Sequence, residues 1–191
     1  MVAPLGALAS TNRNKLRELQ RALRGWELEL LDAEDYPPEE GRTYYENARA
    51  KARFGRTVAP SGHWVFGEDS GVEIEGLGWA PGLVTARWAG GDHVGRALAA
   101  LAADETASRK ARYVCELVAI SPAGDEVRGT GILEGRIADE PRGREGFGFD
   151  PVFIPEGEEH TVAELGNDWK ADHSHRARAA KALLQAIPST T

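Results

Sequence analysis

The chain is predicted to fold as an α/β protein on a mixed central sheet flanked by helices. Three features predict this. A short apolar run, residues 5–9, passes through Ser10-Thr11-Asn12 into a segment with helical periodicity. A second helical segment, 43–59, is followed by another short apolar run, Trp64-Val65-Phe66. Further on, two long strand-like runs, 111–120 and 126–138, are joined by Pro122-Ala123-Gly124-Asp125, a hairpin signal. Strand–helix–strand order favours parallel neighbours and a hairpin gives antiparallel ones, so the sheet is expected to be mixed.

The remaining elements follow in order. Ser10, Thr11 and Asn12 are good helix N-caps, and 14–23 places Leu16, Leu19, Ala22 and Leu23 on one helical face. Residues 26–31 alternate apolar and acidic, which suits a half-buried strand. Residues 32–41 form an acidic, proline-bearing loop. Thr43 and Glu46 have the spacing of a capping box. Residues 64–66 and 72–77 read as strands on either side of an acidic turn, Gly67-Glu68-Asp69-Ser70-Gly71. A glycine-proline loop covers 76–82 and an alanine-rich helix 93–103. After the hairpin come a glycine-rich loop (142–150), a short strand (152–154), a helix opening at 161–165, and a final helix over 174–187 closed by Pro188. With 191 residues and no repeat or linker, one domain is expected.

Composition narrows the function. The hydrophobic fraction of 41% fits a globular chain. A net charge of −7 argues against a duplex DNA binder, so no nucleic-acid partner is expected. The one cysteine, Cys115, lies in a strand-like run and reads as a buried thiol. Residues 1–10 lack the pattern of a signal peptide, and no apolar run is long enough to span a membrane, so a cytoplasmic location is expected.

Several segments carry candidate chemistry. Two adjacent carboxylates, Glu68 and Asp69, repel each other unless a cation neutralises them, and oxygen ligands of this kind suit Mg²⁺. Ser10-Thr11-Asn12-Arg13-Asn14-Lys15 joins a strand to a helix; its N–H groups and Lys15 suit phosphate, and an ordinary capped helix start is the plainer reading. Glu46 has two competing readings, the closing residue of a capping box or a metal ligand. Lys51 lies on the Asn47 side of the same helix. Phe147-Gly148-Phe149-Asp150 combines an aromatic face for a base with a carboxylate for a ring N–H. Lys170, His175 and Arg176 cluster near the last helix and offer donors to a carbonyl oxygen.

Taken together these segments resemble the inosine triphosphate pyrophosphatase family, the Ham1 or noncanonical purine nucleotide pyrophosphatases. The resemblance runs from Leu8 to about Leu184. It rests on Ser-Thr-Asn-Arg-Asn-Lys at 10–15, Tyr-Glu-Asn-Ala-Arg-Ala-Lys-Ala at 45–52, Glu-Asp-Ser-Gly at 68–71, Ala-Pro-Gly-Leu-Val-Thr-Ala-Arg at 80–87, Phe-Gly-Phe-Asp-Pro at 147–151 and Ser-His-Arg-Ala at 174–177, in the family's order. Ser10 and Thr11 stand where many members have Thr-Gly, Glu68 where many have aspartate, and Phe149 where tyrosine is common.

The resemblance implies an elongated sheet with two lobes and a cleft between them, a homodimer, and hydrolysis of ITP, dITP and XTP to the monophosphate and pyrophosphate. It implies Mg²⁺ held by Glu46 and Asp69, with Asp69 orienting or deprotonating the attacking water. Residues 10–15, Lys51 and Ser70 would hold the phosphates and sugar, and Phe147, Gly148, Phe149, Asp150, Lys170, His175 and Arg176 the base. Two rivals stand beside it: a Maf-like pyrophosphatase of modified or pyrimidine nucleotides, and a nucleotide-binding sensor without turnover.

Overall fold

The computed structural model describes residues 3–188, so Met1 and Val2 of the N-terminal stretch lie outside the described residues. The elements are β1 (Leu5–Leu8), α1 (Arg13–Ala22), β2 (Glu27–Leu30), α2 (Tyr44–Val58), β3 (Trp64–Ile74), β4 (Ala80–Pro81), α3 (Thr85–Ala89), α4 (His93–Ala102), β5 (Lys110–Ile120), β6 (Glu126–Ile137), β7 (Phe153–Pro155), α5 (Val162–His173) and α6 (His175–Ala186). Hydrogen bonding orders the strands β2-β1-β3-β5-β6-β7, with β4 pairing to β3. β1 is parallel to both β2 and β3, whereas β4 on β3 and β7 on β6 are antiparallel, so the sheet is mixed as expected.

Two compact units divide the chain, and β3, β5 and β6 each pass from one to the other. The first comprises residues up to Ser70, Cys115–Gly131, and residues from Ser174 onward. Its topology follows from handedness. The step from β1 to β2 goes one way along the sheet and the step from β2 to β3 reverses it. Right-handed crossovers therefore put α1 and α2 on opposite faces. The cores agree: Leu19 of α1 and Leu23 at its C-cap pack with Leu8, Phe66, Leu117 and α6 residues Ala179 and Leu183. On the other face Ala48 and Ala52 of α2 pack with Val118 and Ile120. Residues 117 and 118 of β5 thus serve opposite faces, as the pleat requires.

β3 departs from expectation. The predicted acidic turn at 67–71 is not a turn; the strand runs without interruption from Trp64 to Ile74, and Glu68 and Asp69 are buried within it. Small and charged residues read as a turn in isolation, but here their partners lie above and below the strand. Gly67 is small because α2 crosses it: a Cβ there would lie 2.0 Å from the Ala48 carbonyl oxygen and 2.5 Å from the Ala52 nitrogen. β3 ends earlier than its predicted 72–77 segment, and Glu75–Leu77 forms a single 3₁₀ turn.

The second unit, Gly71–Val114 with Ile132–His173, has its own core. Val72, Ile74, Ala111, Tyr113, Leu133, Ile137, Phe149, Phe153 and α4 residues Ala97 and Leu101 form it. The 142–150 segment is a loop, as predicted, and the helix expected to open at 161–165 runs from Val162 to His173 with a break at Gly166. The short helix α3 and strand β4 were not predicted; each is too short to show a period.

Gly67→Ala is expected to cost about 3 kcal/mol or more, because backbone on both sides of the new methyl must move. Chemical denaturation of the purified variant checks this; a loss below about 1 kcal/mol would show that α2 does not press on β3 as described.

Candidate active site

β1 stops at Leu8 and the chain turns away into α1, while β3 continues past it. Residues 67–70 therefore lie beyond the carboxyl end of β1, where the topology reverses direction. Such a position is where open α/β sheets carry their sites. Alternation then sends Glu68 and Asp69 to opposite faces.

Glu68 faces α1 and α6 and is fully buried. Lys15 Nζ lies 2.6 Å from its Oε2, and Arg176 Nε donates to its Oε1 at 3.0 Å. Arg176 Nη1 donates to Glu18 at 2.9 Å and Nη2 to Ser70 Oγ at 2.7 Å. Burial opposes the Glu68 charge, but Lys15 and Arg176 outweigh it and hold its pKa well below the usual carboxylate range. Burial likewise opposes the Arg176 charge, and Glu68 and Glu18 outweigh it, raising its pKa. Arg176 sits in the first turn of α6, where the helix dipole disfavours a cation; these carboxylates offset that cost. Buried Cys115 lies beside Glu68, with Sγ 3.6 Å from Oε1, and burial followed by the Glu68 charge pushes its thiol pKa up.

Asp69 faces α2. Asn47 Nδ2 donates to its Oδ2 at 2.9 Å and Lys51 Nζ to its Oδ1 at 3.2 Å. Asn47 is itself oriented, because its Oδ1 accepts from the Gly41 N–H at 2.8 Å. Lys51 also donates to the Glu68 carbonyl at 3.2 Å and pairs closely with Glu39. Burial raises the pKa of Asp69, and Lys51 and Asn47 recover only part of that. Burial acts against the Lys51 charge as well, but Asp69 and Glu39 more than compensate and its pKa is raised.

The candidate phosphate loop is capped from within. Asn12 Oδ1 accepts from the N–H groups of Asn14 and Lys15, and Ser10 Oγ accepts from Asn12 N. Thr11 and Arg13 are exposed beside them. Glu46 is exposed and completes a capping arrangement: its N–H donates to Thr43 Oγ1 at 3.1 Å and its Oε2 accepts from Arg42 N at 2.6 Å. The cap reading of Glu46 is thus the one with a partner in place.

In the second unit, Asp150 Oδ2 accepts from Lys170 Nζ at 2.6 Å and Phe147 N at 2.7 Å, and its Oδ1 accepts from Tyr113 at 3.2 Å. The Lys170 ammonium lies 5.0 Å from the Phe147 ring centre. Phe149 is a core residue, stacked on Trp88 and meeting His93 edge-on. Phe147 is half-buried where Phe149 is fully in the core, and Gly148 turns the chain between them at φ +65°. His175, like Arg176, is buried in the first turn of α6.

The Ham1 family profile matches residues 7–186. The chain belongs to the Ham1 family. This Ham1 protein is 39% identical to the dITP/XTP pyrophosphatase of Bdellovibrio bacteriovorus, over 94% of its own length and 96% of the relative's. It is 40% identical to the dITP/XTP pyrophosphatase of an Exiguobacterium species, covering 92% and 93% of the two chains. Among solved structures it superposes on the HAM1 protein of Coxiella burnetii with a TM-score of 0.80 at 33% identity, covering 96% and 98% of the chains. The Staphylococcus aureus Ham1 protein gives 0.77 at 30% identity, covering 96% and 97%.

Three residues of this Ham1 site escaped the sequence reading. Asn47 had a signal, since it stands one helical turn before Lys51 on the same face. Glu39 lay in the acidic loop without a pattern to single it out. Glu18 follows Lys15 by three residues on α1, a spacing that also fits an ordinary surface pair.

Glu68→Gln would leave buried Arg176 and partly buried Lys15 around a neutral group and is expected to cost about 3–5 kcal/mol at neutral pH. A carboxylate with a depressed pKa contributes stability above its unfolded pKa and loses it as pH falls. The gap between wild type and variant should therefore narrow below roughly pH 5. Urea unfolding across that range checks both; a gap independent of pH would refute the ion-pair account.

Proposed function

We propose that this chain hydrolyses noncanonical purine nucleoside triphosphates (ITP, dITP and XTP) to the monophosphate and pyrophosphate. The observation that carries the chemistry is Asp69, a buried carboxylate aimed by Asn47 and Lys51 beside a cluster of cations. The names of the close relatives supply the substrate class. Asp69 takes a proton from a water, whose oxygen attacks the α-phosphorus; the α–β anhydride bond breaks and pyrophosphate leaves. Its raised pKa suits it to accept that proton. Lys51 and Lys15, with Ser70 and the 10–15 loop, neutralise and hold the phosphates.

The donor set fits a hard divalent cation. Four carboxylates (Glu18, Glu39, Glu68 and Asp69) meet three cations (Lys15, Lys51 and Arg176), which leaves an excess of negative charge. Among the described residues no three acidic, histidine or cysteine groups are arranged to hold a metal alone. That pattern suits Mg²⁺, which is usually bound by one or two carboxylates plus substrate phosphates. Asp69 and Glu46 are the ligands we propose; the exposed Glu46 carboxylate stands at the start of α2, where one oxygen accepts from the Arg42 N–H. Mg²⁺ would supply charge neutralisation at the phosphates.

Discrimination against adenine follows from donors, whereas guanine shares the position-6 carbonyl and its rejection must come from a different contact. Hypoxanthine and xanthine present a carbonyl at position 6, to which His175 and Arg176 donate; adenine presents an amino group, so donor would face donor. Phe147 stacks on the base, and Lys170 and Asp150 secure Phe147. The family resemblance supports a homodimer acting as one domain, and the net charge of −7 supports a small-molecule rather than a nucleic-acid partner. No described helix is long and apolar enough to cross a membrane, and we place the activity in the cytoplasm.

Incubation with Mg²⁺ and each of ITP, dITP, XTP, ATP and GTP, with identification of the released species, tests the reading. Pyrophosphate is expected from the first three and little of anything from ATP or GTP. Orthophosphate release would move the attack to the γ-phosphorus and refute the mechanism.

Asp69→Asn should lower kcat by roughly 10²–10⁴ while ITP still binds. Wild-type turnover by Asp69→Asn would remove Asp69 as the base.

A further inference from the structure

α5 is two helices joined at a break. Gly166 has φ +86° and ψ 176°, so the backbone leaves the helix there and resumes at Asn167. In an unbroken helix the Asn167 N–H would donate to the Ala163 carbonyl. The break separates them, and Glu145 from the 142–150 loop takes the place of each for the other. Its own N–H donates to the Ala163 carbonyl at 3.4 Å, and its Oε2 accepts from Asn167 N at 2.8 Å. Asn167 Nδ2 donates to the same oxygen at 2.7 Å. Gly166 makes room: besides tolerating its positive φ, it has no Cβ to stand 3.2 Å from that oxygen.

The second half-helix, from Asn167 onward, carries Lys170. Five residues beyond Glu145 the same loop carries Asp150, which binds Lys170 at 2.6 Å, and between them stands Phe147 under the ammonium. Loop and half-helix are thus joined at two points, one at Glu145–Asn167 and one at Asp150–Lys170. A single link leaves a hinge between loop and helix; two links one helical turn apart fix the register.

We propose that Glu145 is a positioning residue for substrate recognition: by splicing the broken α5 it sets Lys170 against Phe147 and so holds the aromatic face that meets the base. This rests on the reading above that Phe147 contacts the base. Glu145 is itself exposed, and its side chain accepts from Asn167. The two N–H groups of Asn167 that meet Oε2 need an acceptor rather than a charge, so Gln should replace Glu and Ala should not.

The test is steady-state kinetics on ITP for Glu145→Ala, Glu145→Gln, Phe147→Ala and the Glu145→Ala/Phe147→Ala pair, with melting temperatures alongside. Glu145→Ala is expected to raise KM about 5- to 10-fold, the size of a lost helix cap, with kcat within about twofold. Glu145→Gln should return KM to within about twofold of wild type. On the Phe147→Ala background, Glu145→Ala should add little, because both act on one contact. A wild-type KM for Glu145→Ala, with KM raised by Phe147→Ala, overturns the proposal and leaves the base reading standing. A wild-type KM for Phe147→Ala overturns the base reading itself, and the positioning role falls with it. A fall in kcat with KM unchanged, or KM effects that add in the double variant, also refutes it.

Discussion

The first unit is organised around one buried charge. Glu68 has no exposed surface, and an isolated carboxylate in that position would be prohibitive or would be protonated. It is ionised because Lys15 of α1 and Arg176 of α6 reach it from two helices distant in sequence. The pairing works in the other direction as well. Arg176, buried at a helix N-terminus, is acceptable only because Glu68 and Glu18 surround it. Three elements are therefore locked at one point by groups that cannot be removed singly. The same lock fixes Ser70, which accepts from the third nitrogen of the guanidinium.

Helix starts do much of the remaining positioning. Asn12 caps α1, Thr43 caps α2 and Ser174 caps α6, each with its side-chain oxygen on a first-turn N–H. Lys15, Asn47 and the His175-Arg176 pair all lie within the first turn or just after it. A cap holds the first turn against fraying, since it gives a partner to N–H groups that have none within the helix. Long or polar side chains launched from it have little freedom in origin. The cap also answers how much of the 10–15 loop is left for an anion: two of its N–H groups are already satisfied by Asn12.

The legibility of the fold and of the site had different limits. α1, α2, α4, the β5–β6 hairpin and α6 were readable because their apolar periods are long enough to count. The cap Thr43, and the Ser10-Thr11-Asn12 run of which Asn12 is the cap, were readable because capping is local. The continuity of β3 was not. Gly67-Glu68-Asp69-Ser70-Gly71 has the composition of a turn, and only partners about 18 and 108 residues away make it a strand. The same reason hid Glu39 and Glu18, whose roles exist only through Lys51 and Arg176. Phe149 and Phe147 show the converse. Both were legible as candidates, but which one packs inward depends on Trp88 and His93, and nothing in a five-residue motif reports that.

Glu68 and Asp69 are neighbours of nearly identical chemistry, and the pleat alone separates their fates. It turns one toward α1 and α6 and the other toward α2. On the first face two cations outweigh desolvation and the carboxylate is held ionised, with its pKa lowered. On the second, burial outweighs one ammonium and one amide, and the pKa is raised. Paired titratable groups pushed apart in this way commonly mark a division of roles in a site. A carboxylate that cannot take up a proton near neutral pH is fit for structure and electrostatics. One that holds a proton more readily is fit to accept it from water. The order Glu-Asp along the strand decides which is which, because shifting the register by one residue would exchange their faces. The catalytic assignment of Asp69 therefore follows from strand parity as much as from its own partners.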